Sequence, residues 1–173
     1  MEAVTVEHDV LVTRGVVYGQ AMVDAHTLPR SRQLLLDRYE PAAALATGLR
    51  RPVLVMAFGG AFHRGDRLAD EFGEDEHTNT PVSAYCRAFA RRGWVACSID
   101  YRLVQEDPDP GTTPVIGSPS CVPMSRISRV REMLGLPPTS AETVCETIEA
   151  ATDDMVTAVR FVRAQADEWS IDP

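Results

Sequence analysis

Apolar residues in the first half of the chain form short runs that are typical of β-strands. Residues 8–19, HDVLVTRGVVYG, alternate imperfectly and are rich in Val, which predicts a strand or a hairpin with a turn near Gly15. A second strand is predicted over RQLLLDRYEP, which Pro41 closes. The run PVLVMAF at 52–58 is continuously apolar, and a strand without polar alternation is buried on both faces. We therefore expect a parallel sheet that is covered by helices.

A helix and a fourth strand follow. In TPVSAYCRAFARRG, Thr80 suits the N-cap position, Pro81 the first helical position and Gly93 the C-terminal stop. The apolar run that comes next, WVACSIDYR, predicts a strand over 94–99 that ends at Asp100. A strand, a helix and a strand in this order predict a right-handed crossover between two adjacent parallel strands.

The last third of the chain combines an irregular insertion with a long helix. Residues 104–138 are dense in Pro, Gly and Ser, and SRISRVREMLGL predicts a short helix inside them. A connection of this length is usually a lid or a pocket wall, and a flexible insertion is the alternative. Thr139 and Glu142 form a T-x-x-E capping box for a helix that is predicted to run to about Trp169. Its apolar stripe consists of Val144, Ile148, Met155, Val159 and Val162.

Composition narrows the class of protein. The 173 residues are enough for one domain, and 45% hydrophobic with 24% charged residues is ordinary for a globular protein. The net charge of -8 argues against a nucleic-acid partner, and no apolar run approaches the ~20 residues that span a membrane. The N-terminus MEAVTVEHDV lacks the basic and apolar regions of a secretory signal. We expect a cytoplasmic protein, although a signal removed by processing would leave the same pattern.

Cysteines and histidines give no metal signature. No CxxC pair is present, and the histidines lack the spacing of metal ligands, so no metal and no cofactor are predicted. We expect Cys86 and Cys97 in the core, whereas Cys121 and Cys145 flank a loop and either form a disulfide or stay free. The histidines are expected on the surface or in loops; they are His8, His26, His63 and His77.

Four segments carry a family resemblance because they occur in one particular order. The first is VLVMAFGGAFHRGD, the second FARRGWVACSIDYRL, the third DMVTAVRFVRAQA and the last IDP. They resemble, in turn, an oxyanion loop of the His-Gly-Gly-Gly-Phe type, a segment ending in Asp-Tyr-Arg-Leu, the helix before a nucleophile strand and the residues that come directly before that strand. The family is the α/β-hydrolase fold, in particular the carboxylesterase and hormone-sensitive-lipase-like serine esterases.

The resemblance implies a fold and a place for the chain within it. Residues 1–173 would be the N-terminal portion of one α/β-hydrolase domain, with a mostly parallel sheet and helices on both faces. In the family's sheet the third strand lies between the fourth and the fifth, so Val53–Phe58 would be an open edge in this chain alone. A second polypeptide, the C-terminal remainder of the same protein, is expected to pair along that edge.

The resemblance also implies the chemistry of ester hydrolysis on a small-molecule ester. The N–H groups of Gly60 and Ala61 would stabilise the oxyanion, each at about 3–4 kcal/mol in kcat, and Gly59 would allow the turn. The alternative is that Gly59 and Gly60 merely turn the chain after a strand. Phe58 and Phe62, on either side, are predicted to bind substrate. Phe58 stands where the family has His, and it must organise the loop by packing; Ala61 stands where the family has its third Gly and keeps the N–H.

The catalytic triad is not expected in this chain. No G-x-S-x-G occurs, and Ser118 in GSPS lies in the Pro-rich insertion without a preceding strand. Asp100 is interpreted as structural, and Arg102 is predicted to pair with Asp154. The chain would then be inactive by itself, with the Ser, the Asp or Glu and the His in the C-terminal remainder. Two alternatives stay open: a non-hydrolytic lyase or cyclase of the same fold, and a catalytically silent binding protein.

Overall fold

The computed structural model describes residues 7–43, 48–68, 73–74 and 77–172. Residues 1–6, which belong to the N-terminus examined for a signal, and Pro173 of the IDP segment lie outside this range. Its elements are β1 (Val10–Val23), β2 (Arg30–Pro41), β3 (Arg51–Ala57), β4 (Gly73–Glu74), β5 (His77–Thr78), α1 (Val82–Arg91), β6 (Val95–Ile99), α2 (Met124–Met133), α3 (Ala141–Ala164) and β7 (Ile171–Asp172).

The main sheet has five strands in the order β1-β2-β6-β3-β7, and it is mixed. The pairs β1–β2 and β2–β6 are antiparallel, whereas β6–β3 and β3–β7 are parallel. The expectation of a mostly parallel sheet is therefore wrong. The short connection between β1 and β2 allows only an antiparallel pair, while helix α1 provides the crossover that a parallel pair needs. The predicted adjacent parallel pair, β3 with β6, is confirmed.

Strand β1 is continuous, so a hairpin turn near Gly15 is wrong. The register with β2 shifts between Thr13 and Val16, which marks an irregularity of the β-bulge type. Gly15 sits in it with a φ of 69°, an angle that glycine adopts without strain. The Gly15 N–H donates to Asp37 Oδ1 on β2 at 2.9 Å, so the neighbouring strand holds the bulge in place.

Helices cover both faces of the sheet. On one face, Ala158 and Val162 of α3 pack on residues of β1, β2 and β6. On the other face, Val82, Cys86 and Ala90 of α1 pack on Tyr39 and Ala96. Every residue of β6 is buried, as expected for a strand with neighbours on both sides. Within the described residues, no helix combines the length and the apolar character that crossing a membrane requires.

Strand β3 is less buried than its sequence predicts. Its apolar residues Val53 to Met56 are only half-buried. Strand β7 pairs with Arg51 and Pro52 alone, so no strand in the described part of the chain pairs with residues 53–57 on that side. The order β6-β3-β7 agrees with the expected place of the third strand between the fourth and the fifth.

Helix boundaries differ from the predicted ones by a few residues. The N-cap of α1 is Pro81 rather than Thr80. The N-cap of α3 is Ser140, whose hydroxyl accepts the Thr143 N–H at 3.1 Å, so the capping box from Thr139 does not form. Helix α3 ends at Ala164 instead of continuing to about Trp169, because the chain turns there and packs the Trp169 ring against α3.

The insertion 104–138 is anchored to α3. The Asp153 carboxylate accepts the Thr112 N–H at 2.6 Å and its hydroxyl at 2.9 Å. Gly111 lies so close to the helix that a Cβ would come within 2.2 Å of the Glu149 carbonyl carbon. Helix α2 lies within this insertion, as predicted. All four cysteines are free, including Cys121 inside the insertion and Cys145 in α3.

The predicted pair of Arg102 and Asp154 is confirmed. The two side chains are 7% and 3% exposed, and Arg102 Nη2 lies 2.9 Å from Asp154 Oδ1. The same carboxylate accepts the Arg102 backbone N–H at 2.9 Å. A third contact runs from Nη2 to the Ala150 carbonyl at 3.0 Å. The pair thus ties the chain leaving β6 to the middle of α3.

Breaking this pair should be costly, because one buried charge would remain without its partner. We expect Asp154→Asn to lower the free energy of unfolding by about 3–5 kcal/mol, measured by urea titration with tryptophan fluorescence. The matched control is Asp24→Asn, which breaks the exposed Arg30–Asp24 pair of 2.6 Å and should cost less than about 1 kcal/mol. Equal costs for the two substitutions would contradict the anchoring role of the buried pair.

Candidate functional site

The loop that follows β3 faces a cleft of about 330 Å³. Helix α2 and the β5 region form the other walls of this cleft. Three of the predicted site residues line it together, while Phe58 and Phe62 do not. Its lining includes Gly59, Gly60, Ala61, Arg64, Arg126 and Val130.

The backbone of the loop is strained. Gly60 has a φ of 132°, and Ala61 and Phe62 have φ angles of 53° and 62°. The left-handed region costs a residue with a Cβ roughly 1–2 kcal/mol, so surrounding contacts must hold Ala61 and Phe62 there. Glycine is required at position 60 for a second reason, because a Cβ would lie 2.1 Å from the Arg64 carbonyl oxygen.

Gly59 differs from Gly60. Its φ lies outside the left-handed region, and a Cβ added there would meet nothing within 4 Å. The turn that was expected at Gly59 is instead made by residues 60–62. What glycine at position 59 provides is open space beside the cleft.

Hydrogen bonds to carbonyl groups fix the orientation of the loop. The C=O and the N–H of one trans peptide point in opposite directions within a plane, so a bond to the carbonyl also sets where the N–H points. The His63 N–H donates to the Gly60 carbonyl at 3.0 Å, which orients the N–H of Ala61. The Tyr101 hydroxyl donates to the Phe58 carbonyl at 2.8 Å, and the Val104 N–H to the Phe62 carbonyl at 2.9 Å.

The N–H groups of Gly60 and Ala61 make no hydrogen bond within the described residues. Both residues line the cleft. Two neighbouring backbone donors without protein acceptors can bind an oxygen that carries negative charge, and the bond to the Gly60 carbonyl already orients the Ala61 N–H.

Phe58 and Phe62 lie around Tyr101. Phe58 stacks on the Tyr101 ring at 4.4 Å between centroids, and Phe62 meets it edge-on at 6.0 Å. Both phenylalanines line a second, mostly apolar cavity of about 250 Å³ with Met155 of α3. The expectation that Phe58 organises the loop by packing agrees with this stack. Packing also places both rings away from the cleft that the glycines line.

His63 lies in the loop, as one of the two expectations had it, but it is buried there and not on the surface. It is 1% exposed, and its Nδ1 lies 2.5 Å from the Ala61 carbonyl oxygen. Its Nε2 is buried and has no hydrogen-bond partner. The pKa of His63 is lowered from its ordinary value, mainly because burial disfavours the charged ring. The hydrogen bond to the Ala61 carbonyl opposes this shift, and the positive charge of Arg131 adds to it. The sequence held no signal for this burial, since a histidine between Phe and Arg is typical of exposed loops.

Asp100 has a structural role, in line with its interpretation from the sequence. Its carboxylate lies 2.5 Å from Arg67 Nη1, and Arg67 Nε contacts Asp37 at 2.9 Å. The Ser98 hydroxyl donates to the Arg67 carbonyl at 2.8 Å. These contacts fasten the chain after the loop to the sheet. The role of Arg67 was missed, because a single arginine after Gly-Asp gives no indication of two carboxylates distant in sequence.

Other candidates do not form a site. Ser118 lies in a short 3₁₀ turn, where its hydroxyl contacts that of Ser120 at 2.9 Å. No strand leads into this turn, so it is not a nucleophile elbow. Among the described residues, no group of three or more His, Cys, Asp or Glu side chains is arranged to hold a metal ion.

Comparisons with known proteins give one line of similarity. No protein-family model matches the chain, and no curated protein matches it. Among solved structures, the chain is similar to Thermogutta terrifontis esterase 2 phosphorylated by paraoxon, with 22% identity and a TM-score of 0.54. The apo form of that esterase gives 21% identity and a TM-score of 0.52. Esterase B from Lactobacillus rhamnosis gives a lower identity of 16% and a TM-score of 0.48.

The chain spans well under half of these proteins. The similarity to Thermogutta esterase 2 covers 94% of this chain in the paraoxon form and 99% in the apo form, but 40% of the esterase chain in both. A structural similarity at this level of sequence identity shows a shared fold, and it does not show a shared activity. The described residues thus share the fold of part of this esterase, in agreement with the α/β-hydrolase fold that the four sequence segments predicted.

Proposed function

We propose that the chain is part of a carboxylic-ester hydrolase of the serine type and supplies its oxyanion loop. The observation that carries the proposal is that Gly60 and Ala61 both line the cleft while their N–H groups have no acceptor among the described residues. In ester hydrolysis the attacked carbonyl becomes a tetrahedral oxyanion. Preorganised backbone donors stabilise that charge more than they stabilise the ground state, and so they accelerate the chemical step.

The proposed substrate is a small-molecule ester whose carbonyl oxygen points at Gly60 and Ala61. Gly59 would leave room for the group bonded to the carbonyl, because the space beside its Cα is open. The insertion 104–138 would act as a wall of the substrate pocket through Arg126 and Val130, which line the cleft. In this proposal Phe58 and Phe62 contribute to substrate binding through the apolar cavity beside the loop.

The nucleophile, the acid and the histidine would come from a second polypeptide or segment that adds strands beside β3. Two observations support this proposal. The apolar residues Val53 to Met56 are half-buried, while the neighbouring strand β6 is fully buried. The chain also spans only 40% of the esterase with the same fold. The added strand would continue the parallel pairing that β7 begins at Arg51 and Pro52.

The first test is activity. The complete protein is expected to hydrolyse p-nitrophenyl acetate or butyrate, measured as release of p-nitrophenol. Paraoxon, which phosphorylates Thermogutta esterase 2, should inhibit it and leave one phosphorylated serine that mass spectrometry locates. Binding of an ester without hydrolysis and without this adduct would favour the lyase, cyclase or binding-protein alternatives.

The second test separates the two glycines of the loop. We expect Gly59→Ala to leave stability unchanged and to lower kcat/KM by about tenfold or more, because the methyl group enters the cleft and displaces the substrate. Gly60→Ala should instead lower the free energy of unfolding by more than about 1 kcal/mol, since its φ of 132° and the Arg64 carbonyl both oppose a Cβ.

The matched control is Gly117→Ala, because Gly117 also has open space around its Cα and lies outside the cleft. It should change neither activity nor stability. Unchanged activity in Gly59→Ala would contradict the placement of the ester next to this residue.

The third test concerns the edge of β3. Residues 1–173 expressed alone are expected to self-associate, because half-buried apolar residues lie along an edge with unpaired backbone groups. Analytical ultracentrifugation measures this directly. A 19.0 kDa monomer with a cooperative thermal transition would exclude the proposed second polypeptide.

A further inference from the structure

We infer that His63 is the positioning residue of the oxyanion loop and acts as a neutral imidazole whose Nδ1–H binds the Ala61 carbonyl. This inference rests on the proposed function, because it assigns His63 the task of holding the two peptide units beside Ala61, one of which carries the Ala61 N–H. The distance from Nδ1 to the Ala61 oxygen is 2.5 Å, and the ring is 1% exposed.

The contact determines which nitrogen carries the proton. A carbonyl oxygen only accepts hydrogen bonds, so Nδ1 must be the donor. The other ring nitrogen, Nε2, is buried without a partner. An imidazolium ion would place a second N–H in that position with no acceptor, in addition to a buried charge. The positive charge of Arg131 of α2 also opposes protonation of the ring.

His63 holds the peptide units on both sides of the Ala61 Cα. Its backbone N–H binds the Gly60 carbonyl at 3.0 Å and thereby sets the unit that contains the Ala61 N–H. Its ring binds the Ala61 carbonyl and sets the next unit. With both units fixed, Ala61 is kept at its φ of 53°, which an alanine does not favour by itself.

The segment after β6 supports the histidine in turn. The Gln105 side-chain amide donates to the His63 carbonyl. The Val104 N–H donates to the Phe62 carbonyl at 2.9 Å. The histidine therefore stays in place while its ring and its backbone N–H act on the loop.

A matched pair of substitutions separates the hydrogen bond from mere filling of space. Asn and Leu side chains have similar size and both branch at Cγ. In Asn the Nδ2 donor is bonded to Cγ, as the Nδ1 donor is in His. We expect His63→Leu to lower kcat for a p-nitrophenyl ester by about 10- to 100-fold with KM changed by less than about threefold. His63→Asn should keep kcat within about threefold of the parent, and both variants should show similar thermal stability. Equal losses in the two variants, or parental kcat in the Leu variant, would overturn the inference.

A second measurement does not depend on catalysis. Imidazole ¹⁵N chemical shifts of the labelled protein should show His63 with the proton on Nδ1, and the ring should stay neutral as the pH falls below about 6.5, where an ordinary histidine charges. The Ala61 and Phe62 amide shifts should move in the Leu variant and stay near the parental values in the Asn variant. A proton on Nε2, or a charged ring at pH 6.5, would overturn the inference.

The two measurements separate the positioning role from the proposed function. A complete parental protein that shows the Nδ1–H tautomer and these amide shifts without hydrolysing any ester would support the positioning of the loop and contradict the esterase proposal.

Discussion

The buried pair of Arg102 and Asp154 is the interaction on which the rest of the structure depends. It fixes the residues that leave β6 against α3, with three contacts of 3.0 Å or less. The residue before Arg102 is Tyr101, whose hydroxyl holds the Phe58 carbonyl and whose ring stacks on Phe58. Two residues after Arg102, the Val104 N–H holds the Phe62 carbonyl. A helix distant in sequence thus positions the loop after β3 through a few residues of one short segment.

The sequence was informative wherever a local pattern has one structural solution. The apolar runs identified β2, β3 and β6, and the amphipathic spacing identified α1 and α3. It was less informative about ends, because neighbouring residues compete for the same role. Ser140 caps α3 in place of Thr139, and Pro81 takes the position expected for Thr80. The orientation of β2 against β6 was missed, since no local pattern in either strand encodes which strand it will meet.

For the candidate site, the sequence located the loop but not the division of tasks within it. The family resemblance implied the turn at Gly59 and an N–H donor at Gly60, whereas only Gly60 has an angle and a contact that demand glycine. Burial of His63 depends on tertiary packing, and the carboxylates that Arg67 contacts lie 30 or more positions away in the sequence. Such contacts leave no periodic trace, so a single sequence does not reveal them.

The loop follows the strand with the half-buried edge, β3, so the support of that edge also affects the proposed chemistry of the loop. Backbone donors stabilise a developing charge only if they are already oriented, because reorienting them during the reaction would cost the energy that they supply. The Gly60 and Ala61 N–H groups follow β3 directly, so their direction depends on how firmly that strand is held. On one side β6 pairs with all of Val53 to Ala57, and on the other side β7 reaches only Arg51 and Pro52. Strands added on that side would therefore do more than bury apolar surface: they would also complete the support that the loop needs in its proposed role.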